Sequence, residues 1–146
     1  MIRGIQHCAL VVADVERSRR FYTDVLGLVE IERPSSFRFA GAWFRAGDDE
    51  LHLIGGSETT MAAGGKETGA GISVGLVTHV ALEVDDLATA LGRVRAAGVE
   101  IGGGPMPRGD GVDQAFLLDP DGFVVELFER TGADQSASGP REPVRA

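Results

Sequence analysis

From Gly4 to Val12 polar and apolar residues alternate, which sets Ile5, His7, Ala9 and Val11 on one face of a strand. Asp14 follows, a residue suited to capping a helix, and beyond it Val15, Ser18, Phe21, Tyr22, Val25 and Leu26 recur at helical spacing until Gly27 stops them. A strand-like run from Leu28 to Glu32 comes next, and two more strands follow, the last ending at Leu51 to Ile54. From Thr78 the order repeats. The strand Thr78 to Val84 places His79 and Ala81 together, Asp86 caps, and Leu87, Ala90, Leu91, Val94 and Ala97 mark a helix that Gly98 ends. Strand signals return at Val99 to Ile101 and, after another strand, at Phe123 to Phe128. Each half therefore predicts strand, helix, strand, strand, strand.

The repetition extends to residue identity. His7-Cys8-Ala9-Leu10-Val11-Val12-Ala13-Asp14 and His79-Val80-Ala81-Leu82-Glu83-Val84-Asp85-Asp86 agree at His, Ala, Leu, Val and Asp at a constant offset of 72. Near the ends of the halves, Leu51-His52-Leu53-Ile54 and Val125-Glu126-Leu127-Phe128 align polar on polar and apolar on apolar at an offset of 74. The expected fold class is α+β, built from two repeated βαβββ modules. At 146 residues the chain suits one compact unit, residues 1–146. Module one is expected over about residues 4–55 and module two over about 77–130. The Gly-, Ser-, Thr- and Ala-rich stretch of about 56–76 is expected to link them, and 131–146 to form a frayed tail.

Composition narrows the function. Hydrophobic residues make up 43% and charged residues 25%, and no apolar run is long enough to cross a bilayer. The start of the chain carries no apolar signal core, and Cys8 is the only cysteine, so a reducing cytoplasmic setting is expected and an intrachain disulfide or thiolate cluster is excluded. With 14 Lys+Arg against 22 Asp+Glu the net charge of -8 opposes a nucleic-acid partner. The lone lysine, Lys66, has no phosphate-loop spacing around it.

The candidate chemistry lies in the repeat. A single strand histidine is ordinarily a packed or solvated residue satisfied by hydrogen bonds. Here the three histidines of the chain, His7, His52 and His79, all occupy repeat-equivalent places, and the fourth such place holds Glu126 among apolar neighbours, where an unpaired carboxylate is costly. Two modules related by a pseudo-twofold would bring these pairs to one axis. Three imidazoles and a carboxylate suit one divalent Zn, Ni, Fe, Co or Mn ion with room for water or substrate.

Three segments resemble the vicinal oxygen chelate superfamily, which includes glyoxalase I, methylmalonyl-CoA epimerase, fosfomycin-resistance proteins, extradiol dioxygenases and bleomycin-binding proteins. They are His7 to Asp14, Phe21-Tyr22-Thr23-Asp24-Val25-Leu26-Gly27-Leu28, and Asp119-Pro120-Asp121-Gly122-Phe123-Val124-Val125-Glu126-Leu127. The resemblance covers about residues 4–130. Residues Asp119 to Gly122 read as a tight turn that directs Glu126 back into the sheet. The resemblance implies a curved, partly open mixed sheet around a central metal, a small-molecule substrate and a homodimer, with the two modules of a site drawn from one chain or from two.

It also implies a choice of chemistries. In glyoxalase-like isomerisation Glu126 is both ligand and base, while His52 stands where glyoxalase I usually carries Glu and the epimerase Gln. An extradiol-type Fe(II) dioxygenase would use His7, His79 and Glu126 and leave His52 outside the ligand set. A metal-free drug-binding module would instead need an aromatic pocket, for which Phe37, Phe39, Trp43, Phe44 and Phe116 are available. Isomerisation ranks first. Arg38, Arg45, Trp43, Arg108 and Phe116 are the candidates for contact with substrate.

Overall fold

The computed structural model describes residues 1–56 and 78–132. The expected linker of 56–76 and the tail of 131–146 therefore lie outside the described residues, apart from Gly56, Thr131 and Gly132. Module one runs β1 (His7–Val12), α1 (Val15–Arg20), β2 (Val29–Ile31), β3 (Gly41–Ala46) and β4 (Asp49–Gly55). Module two runs β5 (His79–Glu83), α2 (Leu87–Ala96), β6 (Ile101–Pro107), β7 (Val112–Leu118) and β8 (Val124–Arg130). Each module folds into a mixed, open four-stranded sheet, in the orders β1-β4-β3-β2 and β5-β8-β7-β6. The first and last strands of a module lie side by side and parallel, and the other pairings are antiparallel. The duplication read in the sequence is thus a duplication of topology.

Local chemistry explains the element boundaries. The side chain of Asp14 accepts from the Arg17 amide at 3.0 Å and that of Asp86 from the Thr89 amide, so each helix opens on a capping carboxylate. These backbone bonds hold both carboxyls below the usual range. Gly27 and Gly98, at φ +79° and +73°, end the helical runs in the left-handed conformation that glycine adopts without a Cβ penalty. The first run is less regular than its spacing predicts, because Phe21–Val25 is π-helical. The strand expected at Val99 to Ile101 lies further along, since β6 begins only at Ile101 and continues through Gly102, Gly103 and Gly104 to Pro107 with register shifts against β7. At Gly104 the reason is spatial: a Cβ there would lie 2.5 Å from the Gln114 carbonyl oxygen.

Alternation divides each sheet into two faces. Leu10 and Val12 of β1, Ala42 and Phe44 of β3, and Leu51 and Leu53 of β4 enter a buried cluster with Phe21 and Tyr22. Ala115, Leu117, Val125 and Leu127 of module two join the same cluster, with Leu87, Leu91 and Val94 of α2. Burying each large member contributes about 2 kcal/mol. The opposite faces hold His7, Trp43 and His52 in one module and His79, Phe116 and Glu126 in the other.

Polar contacts join the modules where α1 meets the turn before β8. The Tyr22 hydroxyl donates to Oδ2 of Asp119 at 2.9 Å, and Oδ1 of Asp119 accepts from the amides of Asp121 and Phe123. Asp121 in turn accepts from the Ala13 amide, the Arg17 guanidinium and the Ser18 hydroxyl. The expected tight turn is present, with the Gly122 amide on the Asp119 carbonyl at 3.0 Å and Gly122 at φ +87°. Burial pushes the Asp119 carboxyl above its ordinary value against the opposing pull of its hydrogen bonds. Its contribution to stability is therefore largest below the ordinary carboxylate range and is lost as pH rises through the raised value. Removing the phenol should leave this buried oxygen without its donor. Tyr22→Phe is expected to lower the unfolding free energy by about 1–3 kcal/mol in urea titration, and an unchanged midpoint would contradict the contact's role.

Candidate metal centre

The first pair of candidate ligands stands on neighbouring parallel strands. In the β1/β4 register Ala9 faces His52 and His7 faces Glu50, and across the antiparallel ladder Trp43 faces His52. The three rings form a column: His52 stacks on Trp43 at 4.0 Å between centroids and 3° between planes, and on His7 at 4.3 Å and 12°. His52 is buried while His7 is exposed. Nε2 of His52 lies 2.8 Å from Oε2 of Glu50, and Nδ1 of His7 meets the Gln6 side-chain oxygen. The His52 bond holds the Glu50 carboxyl below its usual range.

The second pair occupies the matching register of module two. Ala81 faces Glu126 and Phe116 faces Glu126, just as Ala9 and Trp43 flank His52. Glu126 is 3% exposed. Its Oε2 lies 3.0 Å from Nε2 of His79 and its Oε1 accepts from Nη1 of Arg108 at 3.2 Å. The Phe116 ring stands edge-on to His79 at 5.9 Å. An imidazole and a cation thus flank a carboxylate that the strand otherwise surrounds with apolar side chains.

Within one chain each pair stands on the face of its sheet opposite the buried core that the two modules share. Among the described residues no three His, Cys, Asp or Glu side chains gather as they would around one metal ion. The remaining candidates divide likewise. Trp43 and Phe116 lie against the histidines, and Arg108 touches Glu126, whereas Arg38 is exposed in the segment between β2 and β3. Arg45 is exposed on β3 and pairs with Glu50 at 3.6 Å. Of the other aromatics proposed for a pocket, Phe44 is wholly buried in the core, and Phe37 and Phe39 are exposed, Phe37 against Trp43 and Phe39 against Phe37. Sequence reasoning missed Glu50 and Asp110. Glu50 stands two residues before His52 on β4, the spacing that returns a strand side chain to the same face, and that was the available signal; Asp110 lies in the loop after β6, where strand alternation gives none.

The sequence matches the Glyoxalase/Bleomycin resistance protein/Dioxygenase superfamily over residues 4–127. The chain belongs to this superfamily. A superfamily relative, the lactoylglutathione lyase of Salmonella typhimurium, is 33% identical over 131 residues, which is 87% of this chain and 93% of that protein. The lactoylglutathione lyase of Neisseria meningitidis serogroup A is 32% identical, over 90% of this chain and 94% of its own. The crystal structure of a glyoxalase/dioxygenase from Nostoc punctiforme superposes with a TM-score of 0.70 at 26% identity, covering 88% of this chain and 91% of that one. The fosfomycin resistance protein FosX of Listeria monocytogenes shares the fold at a TM-score of 0.66 and 18% identity, over 88% and 94% of the two chains. No helix among the described residues is long and apolar enough to cross a membrane.

The donor set fits the divalent metal that members of this superfamily use. Imidazole nitrogens and one carboxylate are borderline ligands for Zn, Ni, Co, Mn and Fe, and the Glu126 carboxylate is already buried beside an imidazole. The site also contains its own optical reporter, because Trp43 is the only tryptophan in the chain and one imidazole lies against its face. Replacing that ring should alter the indole's surroundings directly. His52→Leu is expected to change Trp43 emission in intensity and wavelength, and Glu50→Gln to change it less; emission identical to wild type in both would contradict the stacked column.

Proposed function

We propose that the chain is a divalent-metal-dependent lyase or isomerase of the glyoxalase I type, acting on a small substrate with two neighbouring oxygens. The reading rests on one observation: His7 with His52 and His79 with Glu126 occupy equivalent register positions on the polar faces of two like modules. Its sequence relatives over most of the chain are lactoylglutathione lyases, so the chain is read as an enzyme rather than a drug-sequestering module. His7, His52, His79 and Glu126 would hold the metal.

Because the pairs do not meet within one chain, we assign the complete centre to a homodimer. His7 and His52 of one copy would face His79 and Glu126 of the other. β1 and β5 are edge strands of their sheets, with unpaired backbone groups available for such an approach. A cytoplasmic setting belongs to the same proposal, in keeping with the exposed free thiol of Cys8.

The chemistry follows from the residues. A bound divalent cation would supply Lewis acidity at the two substrate oxygens and offset the negative charge that develops there. Glu126 accepts a proton from the carbon bearing the hydroxyl and returns it to the adjacent carbon, so hydrogen moves between neighbouring carbons with no net redox change. The apolar surroundings of Glu126 exclude water from that transfer. His52 is the weakest of the four candidate ligands. Stacked rings carry nearly parallel in-plane lone pairs, so His7 and His52 cannot both aim at one ion unless one ring turns, and Glu50 already engages His52.

His7→Ala, His79→Ala and Glu126→Ala should each lower metal affinity by at least about tenfold, with His52→Ala equal or weaker in effect. Stoichiometric metal in all four variants would overturn the assignment. Glu126→Gln keeps an oxygen ligand but removes the base, so it should retain more metal than Glu126→Ala and still lose exchange of solvent deuterium into an alpha-hydroxycarbonyl substrate. Oxygen consumption with a catechol and no exchange in the wild type would favour the Fe(II) dioxygenase instead.

A further inference from the structure

Arg108 occupies an unusual place for an exposed arginine. Its side chain is 37% exposed, yet Nη1 reaches Oε1 of Glu126, whose own side chain is only 4% exposed. The rest of the guanidinium is tied down. Nε donates to Oδ1 and Oδ2 of Asp110 at 3.0 and 3.1 Å, and Nη2 donates to Oδ2 at 2.9 Å. The guanidinium carbon also lies 5.5 Å over the ring of Phe128, two residues beyond Glu126 on β8.

The loop carrying these residues is itself anchored. Between β6 and β7 the Arg108 amide donates to the Val112 carbonyl at 2.7 Å, and the Thr131 amide and hydroxyl both donate to the Gly111 carbonyl. Gly109 and Gly111, at φ +100° and +80°, supply the left-handed conformations that return the chain within so few residues. Asp110, Arg108, Glu126 and His79 consequently form one continuous series of contacts from the surface to the polar face of the sheet.

We infer that Arg108 is a positioning residue for Glu126: by holding Oε1, and being held by Asp110, it keeps Oε2 directed at His79 and at the cation which that pair would bind. The inference rests on the metal-centre reading above. Its physical content is rotational. The terminal torsion of a glutamate is broad and roughly twofold, so an unheld carboxylate exchanges its oxygens or presents both. The bond from Nη1 to Oε1, made by a guanidinium whose Nε and Nη2 grip Asp110, favours one orientation and leaves Oε2 as the oxygen presented. All three guanidinium nitrogens of Arg108 donate to Asp110 or Glu126, which orients the group on Oε1 of Glu126.

Cobalt(II), with visible absorption sensitive to the ligand field, is the probe. Wild type, Arg108→Met, Arg108→Lys and Asp110→Asn are titrated with Co2+, and their spectra, melting midpoints and steady-state constants are compared. Arg108→Met is expected to weaken Co2+ binding by about tenfold and to alter the visible spectrum. Arg108→Lys should recover part of both, since an ammonium can hold one oxygen without the fork, and Asp110→Asn, at an exposed position, should fall between them. Melting midpoints should stay close to wild type, and turnover should fall in kcat more than KM rises. Wild-type affinity and spectrum in all three variants would reject the role of Arg108 alone. A rise in KM with an unchanged spectrum would reject it in favour of substrate contact. Failure of the wild type to bind Co2+ would overturn the metal centre and the role of Arg108 together.

Discussion

Glu126 is a carboxylate among Val124, Val125, Leu127 and Phe128 of β8, and the cost of burying it constrains what surrounds it. An ionised carboxylate out of water must be met by hydrogen-bond donors or cations, and His79 and Arg108 meet one oxygen each. β5, beside β8, brings His79 to that face, and the β6–β7 loop brings Arg108. The core on the opposite face is built mainly from apolar side chains. Val125 and Leu127, the neighbours of Glu126, are buried against α2 and the first module.

The same division of faces recurs in module one with different residues. There a buried imidazole takes the place of the carboxylate, and its partners are the Trp43 and His7 rings and the Glu50 carboxylate. One arrangement presents a carboxylate steadied by a cation, the other an imidazole steadied by a carboxylate. Their complementarity is what makes a shared cation between two copies a chemically coherent proposal. The two modules are meanwhile joined through other groups, the Tyr22 and Asp119 contact and the donors on Asp121, so the fold does not rely on the candidate ligands for its cohesion.

Much of this was legible in the chain. The period of two in His7 to Val12 and in His79 to Glu83 grouped His7 with Ala9 and Val11 and His79 with Ala81 on one face, and the offset between the halves anticipated identical strand orders. The capping aspartates and stopping glycines bounded the helices because those signals are local. Long-range and concealed features were harder. Nothing in the spacing of Phe21 to Val25 announces a π-helical turn, and the strand expected at Val99 to Ile101 stopped short of the glycines of β6, where Gly104 permits close approach to β7. Glu50 and Asp110 were not singled out; each matters through a contact two residues away, Glu50 with His52 along β4 and Asp110 with Arg108 within a loop. The separation of the two ligand pairs within one chain depends on how the modules pack, which no strand pattern encodes.

The central claim, that two copies each contribute half of a metal centre, is tested most directly by mixing two inactive halves. His7→Ala and Glu126→Ala proteins are co-refolded and the metal content of the mixture is measured after removal of excess ion. If the pairs meet across chains, each mixed dimer holds one site with both defects and one with neither, and the mixture should recover roughly a quarter of wild-type metal content. If the centre forms within a chain, every site carries a defect, and a mixture no richer in metal than its components would contradict the account.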